Sequence, residues 1–323
     1  LIARPHRRSL LGQLALLGVG GAAFLGLRNH LAWPEPEVAI RGSGPGTGWL
    51  PLSGRSRLVD LPAKIKGVWI RVVVDSGAQF SAIDSDLSLR LRLPSATPIP
   101  LVAFGVSGEP SVGRSVEVDL QVGEEGQLRL AKLRAATLNL RPLSGLTQQP
   151  FSMLLGRDFL RAVIADIDFP RRRIAFYRPQ EWRPFESSRP APVRSRAGAL
   201  MTQVVIEAAP PIEVMVDTGA TGSLALSEET ARAAGLLSGR PVTAARSITL
   251  GGVSQDRLVE AELVRFAGEV FRNVDVQIYD PSLKGAIPDG LLGVGLLGRY
   301  RVGLDLASGR MLLGKAAPAG GRA

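Results

Sequence analysis

Val72-Val73-Val74-Asp75-Ser76-Gly77-Ala78 in the first half of the chain and Val214-Met215-Val216-Asp217-Thr218-Gly219-Ala220 in the second are two versions of one element, 142 residues apart. Further matches follow in the same order. Leu154-Leu155-Gly156 pairs with Leu291-Leu292-Gly293, and Ile167-Asp168-Phe169 with Leu304-Asp305-Leu306, both 137 residues apart. Order and spacing agree to within five residues, as duplication of one folding unit would produce. An Asp-Ser/Thr-Gly tripeptide alone carries little information, since chance supplies one in about a tenth of chains this size. Two of them in register inside a repeat are far more specific.

Each unit reads as mainly β. Apolar β-branched runs lead into both aspartates, and Phe169-Pro170 and Ser308-Gly309 read as hairpin turns near the end of each unit. About one helix per lobe is expected. In the second copy Ser227 is its cap, Glu228 and Glu229 suit its positive first turn, and Gly235 ends it. In the first, Asp84 or Ser85 starts a helix that must stop before Pro94.

Composition narrows the chemistry. The 323 residues have room for two domains. There is no cysteine, which removes thiolate nucleophiles and thiolate metal sites. The two histidines, His6 and His30, flank an N-terminal apolar run, so a Ser-His-Asp triad or a histidine-built metal site is not expected, and no cofactor or metal is. The net charge of +10 divides between two places: Arg4, Arg7, Arg8 and Arg28 contribute +4, and eight arginines against two glutamates in 171–196 contribute +6. The rest balances, so no nucleic-acid partner is expected. The arginine cluster reads as a solvated linker, with anionic lipid headgroups as the competing role.

Ser9 to Leu27 is uncharged and as a helix would reach roughly 28 Å at 1.5 Å per residue, enough to cross a bilayer. Arg7-Arg8-Ser9-Leu10-Leu11-Gly12 resembles a twin-arginine export signal. The expected location is the bacterial cell envelope, either anchored in the inner membrane facing the periplasm or exported. The resulting layout is an export signal or anchor over 1–32, a flexible spacer over 33–49, a first lobe over 50–178, a Pro/Arg-rich linker over 179–196, a second lobe over 197–315 and a tail over 316–323. Trp182 and Phe185 in the linker are expected to dock on a lobe. Gly293-Val294-Gly295-Leu296-Leu297-Gly298 matches a dinucleotide-binding pattern, but its first-half counterpart lacks those glycines, so a structural role is expected. Asp168 and Asp305 recur beside hairpin turns and suit local backbone bonding.

An aspartate at the end of an apolar strand, followed by a small hydroxyl residue and Gly, places a carboxylate on a tight, poorly solvated turn. Gly permits close approach and the hydroxyl braces neighbouring backbone. If the lobes pack about a pseudo-twofold axis, Asp75 and Asp217 meet and share one proton. Such a pair activates water without metal, cofactor or histidine.

On these residues the chain resembles retropepsin-like aspartic proteases, in a form with both lobes in one polypeptide. The resemblance implies two homologous β-barrel lobes, a monomer, a polypeptide substrate and aspartic endopeptidase activity with Asp75 and Asp217 catalytic. It implies support from Ser76, Gly77, Ala78, Thr218, Gly219 and Ala220, with Gly156 and Gly293 beside the catalytic turns. It also implies substrate flaps, for which Phe104, Gly105 and Gly108 in the first copy and Leu250, Gly251 and Gly252 in the second are the candidates. Ala after the motif Gly fits the retroviral branch better than the pepsins. Ser76 in place of Thr and the unlike flanks Gln79-Phe80 and Thr221-Gly222 make the cleft asymmetric. A non-catalytic peptide-binding envelope protein on the same fold and a lipid-binding adaptor using the linker arginines remain the alternatives.

Overall fold

The structure is a computed structural model that describes residues 15–16, 33–53, 57–96, 101–104, 110–144, 150–249, 252–279 and 289–315, with the backbone alone at 15–16, 101–104, 110–113, 246–249 and 252–254.

Two closed six-stranded barrels form the lobes. In the first, the strands run Leu128–Leu138, Ala82–Asp84, Met153–Leu155, Val68–Val74, Asp60–Ile65 and Ser115–Val122, which pairs back onto Leu128–Leu138. The second repeats this order with Glu269–Tyr279, Leu224–Ser227, Gly290–Leu292, Ile212–Val216, Ala199–Ile206 and Gly252–Phe266. The sequence pattern explains the closure. Ser115–Val122 buries Val116, Val118, Leu120 and Val122 and exposes Glu117, Asp119 and Gln121, the period-two alternation of a sheet with one wet face. Met153–Leu155 and Gly290–Leu292 are buried along their length and read as continuous apolar runs because both faces are covered: Met153, Leu155 and Leu292 join the main core, and Leu154 and Leu291 pack in separate clusters on the other face.

A third, six-stranded sheet belongs to both lobes. The hairpin Ile164–Asp168/Arg173–Tyr177 of the first meets the hairpin Tyr300–Asp305/Arg310–Lys315 of the second through antiparallel pairing of Ile164–Asp168 with Tyr300–Asp305. Across that seam Arg301 donates Nε and Nη2 to the two oxygens of the buried Asp166 carboxylate, at 2.8 and 2.7 Å. One apolar core, including Ile167, Ile174, Val302 and Leu304, extends through both lobes. Asp168 and Asp305 bond within their hairpins as expected, to Arg171 and Arg173 and to Ser308 and Arg310.

The helix signals hold at both sites. Asp84 caps Ser85–Arg90 by accepting from the Leu87 amide, and Ser227 caps Glu228–Ala233 by accepting from Thr230. Gly235 takes a φ of +73°, the left-handed conformation that ends a helix at little cost to glycine. Three single-turn helices, Arg141–Ser144, Arg157–Leu160 and Val294–Leu297, add to these.

The expected spacer and linker are more structured than their composition suggests. Glu37–Ile40 pairs with Leu128–Ala131 on the first barrel, and Val193–Arg196 pairs with Ala199–Thr202 on the second. Trp182 and Phe185 dock on the shared sheet, over Gly303 and Gly314, where a Cβ would collide with their rings. Of the apolar run, Ala15–Leu16 is described, as a two-residue strand parallel to Ser247–Ile248. Among the described residues no helix is long and apolar enough to cross a membrane.

Candidate active site

Both aspartates sit at equivalent points of the two barrels. Val68–Val74 and Ile212–Val216 deliver them, and each Asp amide donates to the neighbouring central strand: Asp75 N to Leu155 O at 2.9 Å, Asp217 N to Leu292 O at 3.0 Å. Gly156 and Gly293 follow those strands and touch backbone of the turns that carry Asp75 and Asp217. A Cβ on Gly156 would lie 2.6 Å from the Phe80 carbonyl carbon, and one on Gly293 would lie 2.7 Å from Ala220 O. Glycine is required at both because main chain passes where a side chain would start.

The turns fold back on their own carboxylates. Gly77 N and Ala78 N donate to Asp75 Oδ1 at 2.9 and 3.0 Å, and Gly219 N and Ala220 N to Asp217 Oδ1 at 2.8 and 3.2 Å. The two carboxyls face each other between the lobes. A Cβ on Gly77 would lie 2.5 Å from Asp217 Cγ, and one on Gly219 would lie 2.5 Å from Asp75 Cγ. Each glycine therefore makes room for the other lobe's aspartate.

Ser76 and Thr218 lock this approach, and they do so across the lobes and not within their own turns. Ser76 Oγ donates to Val216 O and accepts from Thr218 N, at 2.9 and 3.0 Å. Reciprocally, Thr218 Oγ1 donates to Val74 O and accepts from Ser76 N, at 2.8 and 2.9 Å. Four buried hydrogen bonds thus tie one aspartate turn to the other.

Asp75 and Asp217 are 1% and 0% exposed. Burial, then the neighbouring negative charge of Asp75, raises the pKa of Asp217 well above the ordinary carboxylate value, against the opposing Gly219 N–H. The pair therefore presents one acid and one base in a dry site.

An aspartyl protease family model matches the chain twice, over residues 61–159 and 202–296, which together make up more than half of it. The chain belongs to the aspartyl protease family. Each matched stretch holds one Asp-Ser/Thr-Gly-Ala turn and its glycine-ended strand, and the two copies in a single polypeptide agree with the retropepsin-like, two-lobed reading of the sequence. Among solved structures, a retropepsin-like aspartic protease from Rickettsia conorii is 26% identical, with 40% of this chain and 92% of that chain covered and a TM-score of 0.32. Comparison with curated protein sequences finds no match.

The flap candidates divide. Phe104 ends the strand Leu101–Phe104, which pairs with Pro110–Gly113 as a separate two-stranded ribbon, and Gly252 begins the strand Gly252–Phe266, which pairs with Thr243–Thr249. Gly105, Gly108, Leu250 and Gly251 lie outside the described residues.

The motifs did not single out two charged residues behind the Asp75 turn. Asp158 is buried and accepts from Ser81 N and Oγ, at 2.9 and 2.8 Å, and from Trp33 Nε1 at 3.1 Å, while the Trp33 ring packs on Phe80 at 4.3 Å. Burial raises the Asp158 pKa against those donors. Arg157, 7% exposed, donates Nε to Ala78 O and Nη1 to Ala197 O, each at 3.3 Å. The signal was present in the sequence: an Arg-Asp pair directly after an apolar-apolar-Gly run is conspicuous, and its counterpart in the second copy is Val294-Gly295.

Proposed function

We propose that the chain is an aspartic endopeptidase in which Asp75 and Asp217 form one catalytic dyad. The observation that carries this reading is the face-to-face approach of the two buried carboxyls, each in the space left by the opposite lobe's glycine. The ionised partner takes a proton from a bound water, whose oxygen attacks the peptide carbonyl. The protonated partner hydrogen-bonds to the developing oxyanion. Proton delivery to the leaving nitrogen then breaks the C–N bond and regenerates the pair. Ser76 and Thr218 hold the carboxyls in register, and Gly77, Ala78, Gly219 and Ala220 supply the backbone N–H groups that orient them. The hairpins around Phe104 and Gly252 serve as the flaps, and the N-terminal apolar segment directs the enzyme to the cell envelope.

The test uses purified chain and an unstructured polypeptide such as casein. Asp75→Asn and Asp217→Asn should each lower cleavage by about 10²–10⁴-fold or more with the thermal transition retained, since each removes one partner of the acid–base pair. Undiminished cleavage by either folded variant overturns the dyad, and binding of peptide without cleavage by the wild type would make the chain a binding protein on this fold.

A further inference from the structure

The two halves of the dyad are equivalent in their backbone. Each Oδ1 receives two amides, at 2.9 and 3.0 Å for Asp75 and 2.8 and 3.2 Å for Asp217. The main chain behind the turns also matches, with Arg157 N donating to Ala78 O at 2.9 Å and Val294 N to Ala220 O at 2.8 Å. By those contacts alone, nothing decides which aspartate holds the proton.

The side chains differ. Arg157 places a guanidinium behind the first turn, bonded to Ala78 O, where the second lobe has the isopropyl group of Val294. The guanidinium makes no contact ion pair among the described residues. Its hydrogen bonds go to the carbonyls of Ala78 and Ala197, and the adjacent carboxylate of Asp158 is turned to Ser81 and Trp33. The charged groups around it are Arg161 and Asp158 from its own segment and Asp75 and Asp217 from the two turns. Burial and Arg161 push its pKa down to about 10, so it stays cationic at any pH at which the dyad works. Its Nε bond to Ala78 O seats it on the turn that carries Asp75, whose Oδ1 accepts from the Ala78 amide. A buried, unneutralised cation acts over longer distances than a surface one, because little water screens it.

We propose that Arg157 is a positioning residue that breaks the symmetry of the dyad, keeping the negative charge on Asp75 and the proton on Asp217. Asp75 then serves as the base that activates water and Asp217 as the acid. This assignment rests on the aspartic endopeptidase reading for its meaning, but its physical content is a difference in proton affinity between two carboxyls.

That difference is measurable without catalysis. In Asp217→Asn only Asp75 of the pair can titrate, and in Asp75→Asn only Asp217. With ¹³C-carboxyl-labelled aspartate, the two titrations are followed by NMR and assigned by difference between the variants. Asp75 should titrate at least one pH unit below Asp217, a tenfold difference in proton affinity. Adding Arg157→Met should remove half of the gap or more, whereas Arg157→Lys, which keeps the charge, should preserve most of it. Should Arg157→Met fail to fold, Arg157→Gln takes its place. Equal or inverted titrations with Arg157 intact, or a gap unaltered by removing its charge, overturns the assignment. Wild-type cleavage of casein is scored in parallel, so a chain that titrates as expected but cuts nothing refutes the endopeptidase reading and leaves the electrostatic one standing.

Discussion

Gly77 and Asp217 belong to different lobes, yet a Cβ on the glycine would lie 2.5 Å from the aspartate Cγ. The contact is duplicated at Gly219 and Asp75. A methyl group at either position has no space unless the lobes separate, because the obstacle is a buried carboxylate braced by its own turn and not a flexible side-chain end. Gly77→Ala and Gly219→Ala should each cost roughly 1–3 kcal/mol, as overpacking does. Displacement of the carboxyls by about 1 Å should lower kcat/KM roughly 10²-fold. Gly67→Ala, at a hairpin tip with open space around it, should leave cleavage unchanged despite its φ of +80°. Denaturant midpoints and casein cleavage measured on the three variants check this, and an active Gly77→Ala enzyme contradicts it.

The cross-lobe bonds of Ser76 make a second expectation. Ser76→Ala removes one hydroxyl and orphans two buried groups, Val216 O and Thr218 N. Leaving a buried polar group unpaired costs about 1–3 kcal/mol, so the two together should cost roughly 2–6 kcal/mol and carry cleavage down with them. Ser76→Thr keeps the hydroxyl, and the second copy already accommodates Thr at this point, so that variant should stay within about 1 kcal/mol of wild type. Chemical denaturation separates the two, and equal stability of the Ala and Thr variants would show that the hydroxyl is dispensable.

The aspartates, the hydroxyls and the glycines after the central strands were legible because the repeat prints them twice, and the caps at Asp84 and Ser227 because helix ends are governed by neighbours in sequence. Partnership across the lobes was not. The hydroxyl of Ser76 reads as a local brace until Thr218, 142 residues away, is seen to be its partner. The sheet joining Ile164–Asp168 to Tyr300–Asp305 likewise leaves no periodic trace, since a strand's alternation reveals which face is buried and not which strand lies beside it. Trp33, placed by composition in a spacer, is held by Asp158 and Phe80 through contacts that only folding creates.

Asp217 makes stability depend on pH in a definite direction. Its pKa is raised in the folded chain, chiefly by burial and then by Asp75. Between the ordinary carboxylate value of 3.8 and that raised value the folded chain holds a proton that the unfolded chain has released. Its stabilising contribution is therefore complete below that window and is lost as pH rises through it. Every tenfold gain in proton affinity corresponds to about 1.4 kcal/mol. Asp217→Asn cannot ionise, so its Tm should exceed that of wild type at neutral pH, and the advantage should shrink toward pH 4. Calorimetry across that range tests the sign, and parallel Tm curves for the two proteins would contradict it.

The seam between the lobes supplies the last expectation. Arg301 of the second lobe grips both oxygens of Asp166 in the first and lies between the rings of Trp49 and Phe185, with its Cζ 5.0 and 4.2 Å from their centroids. Asp166 is 1% exposed, so removing the arginine strands a buried carboxylate, a change that costs about 3–5 kcal/mol in fully buried pairs and less here because Arg301 is partly open to water. Arg301→Met should therefore destabilise the chain by roughly 2–4 kcal/mol. Arg301→Lys should recover only part of that, since an ammonium cannot match both oxygens and stacks poorly. Combining Arg301→Met with Asp166→Asn removes the stranded charge and should restore some of the loss. If the double variant is as unstable as the two single losses added together, the pair is not coupled and the seam is held by the apolar core alone.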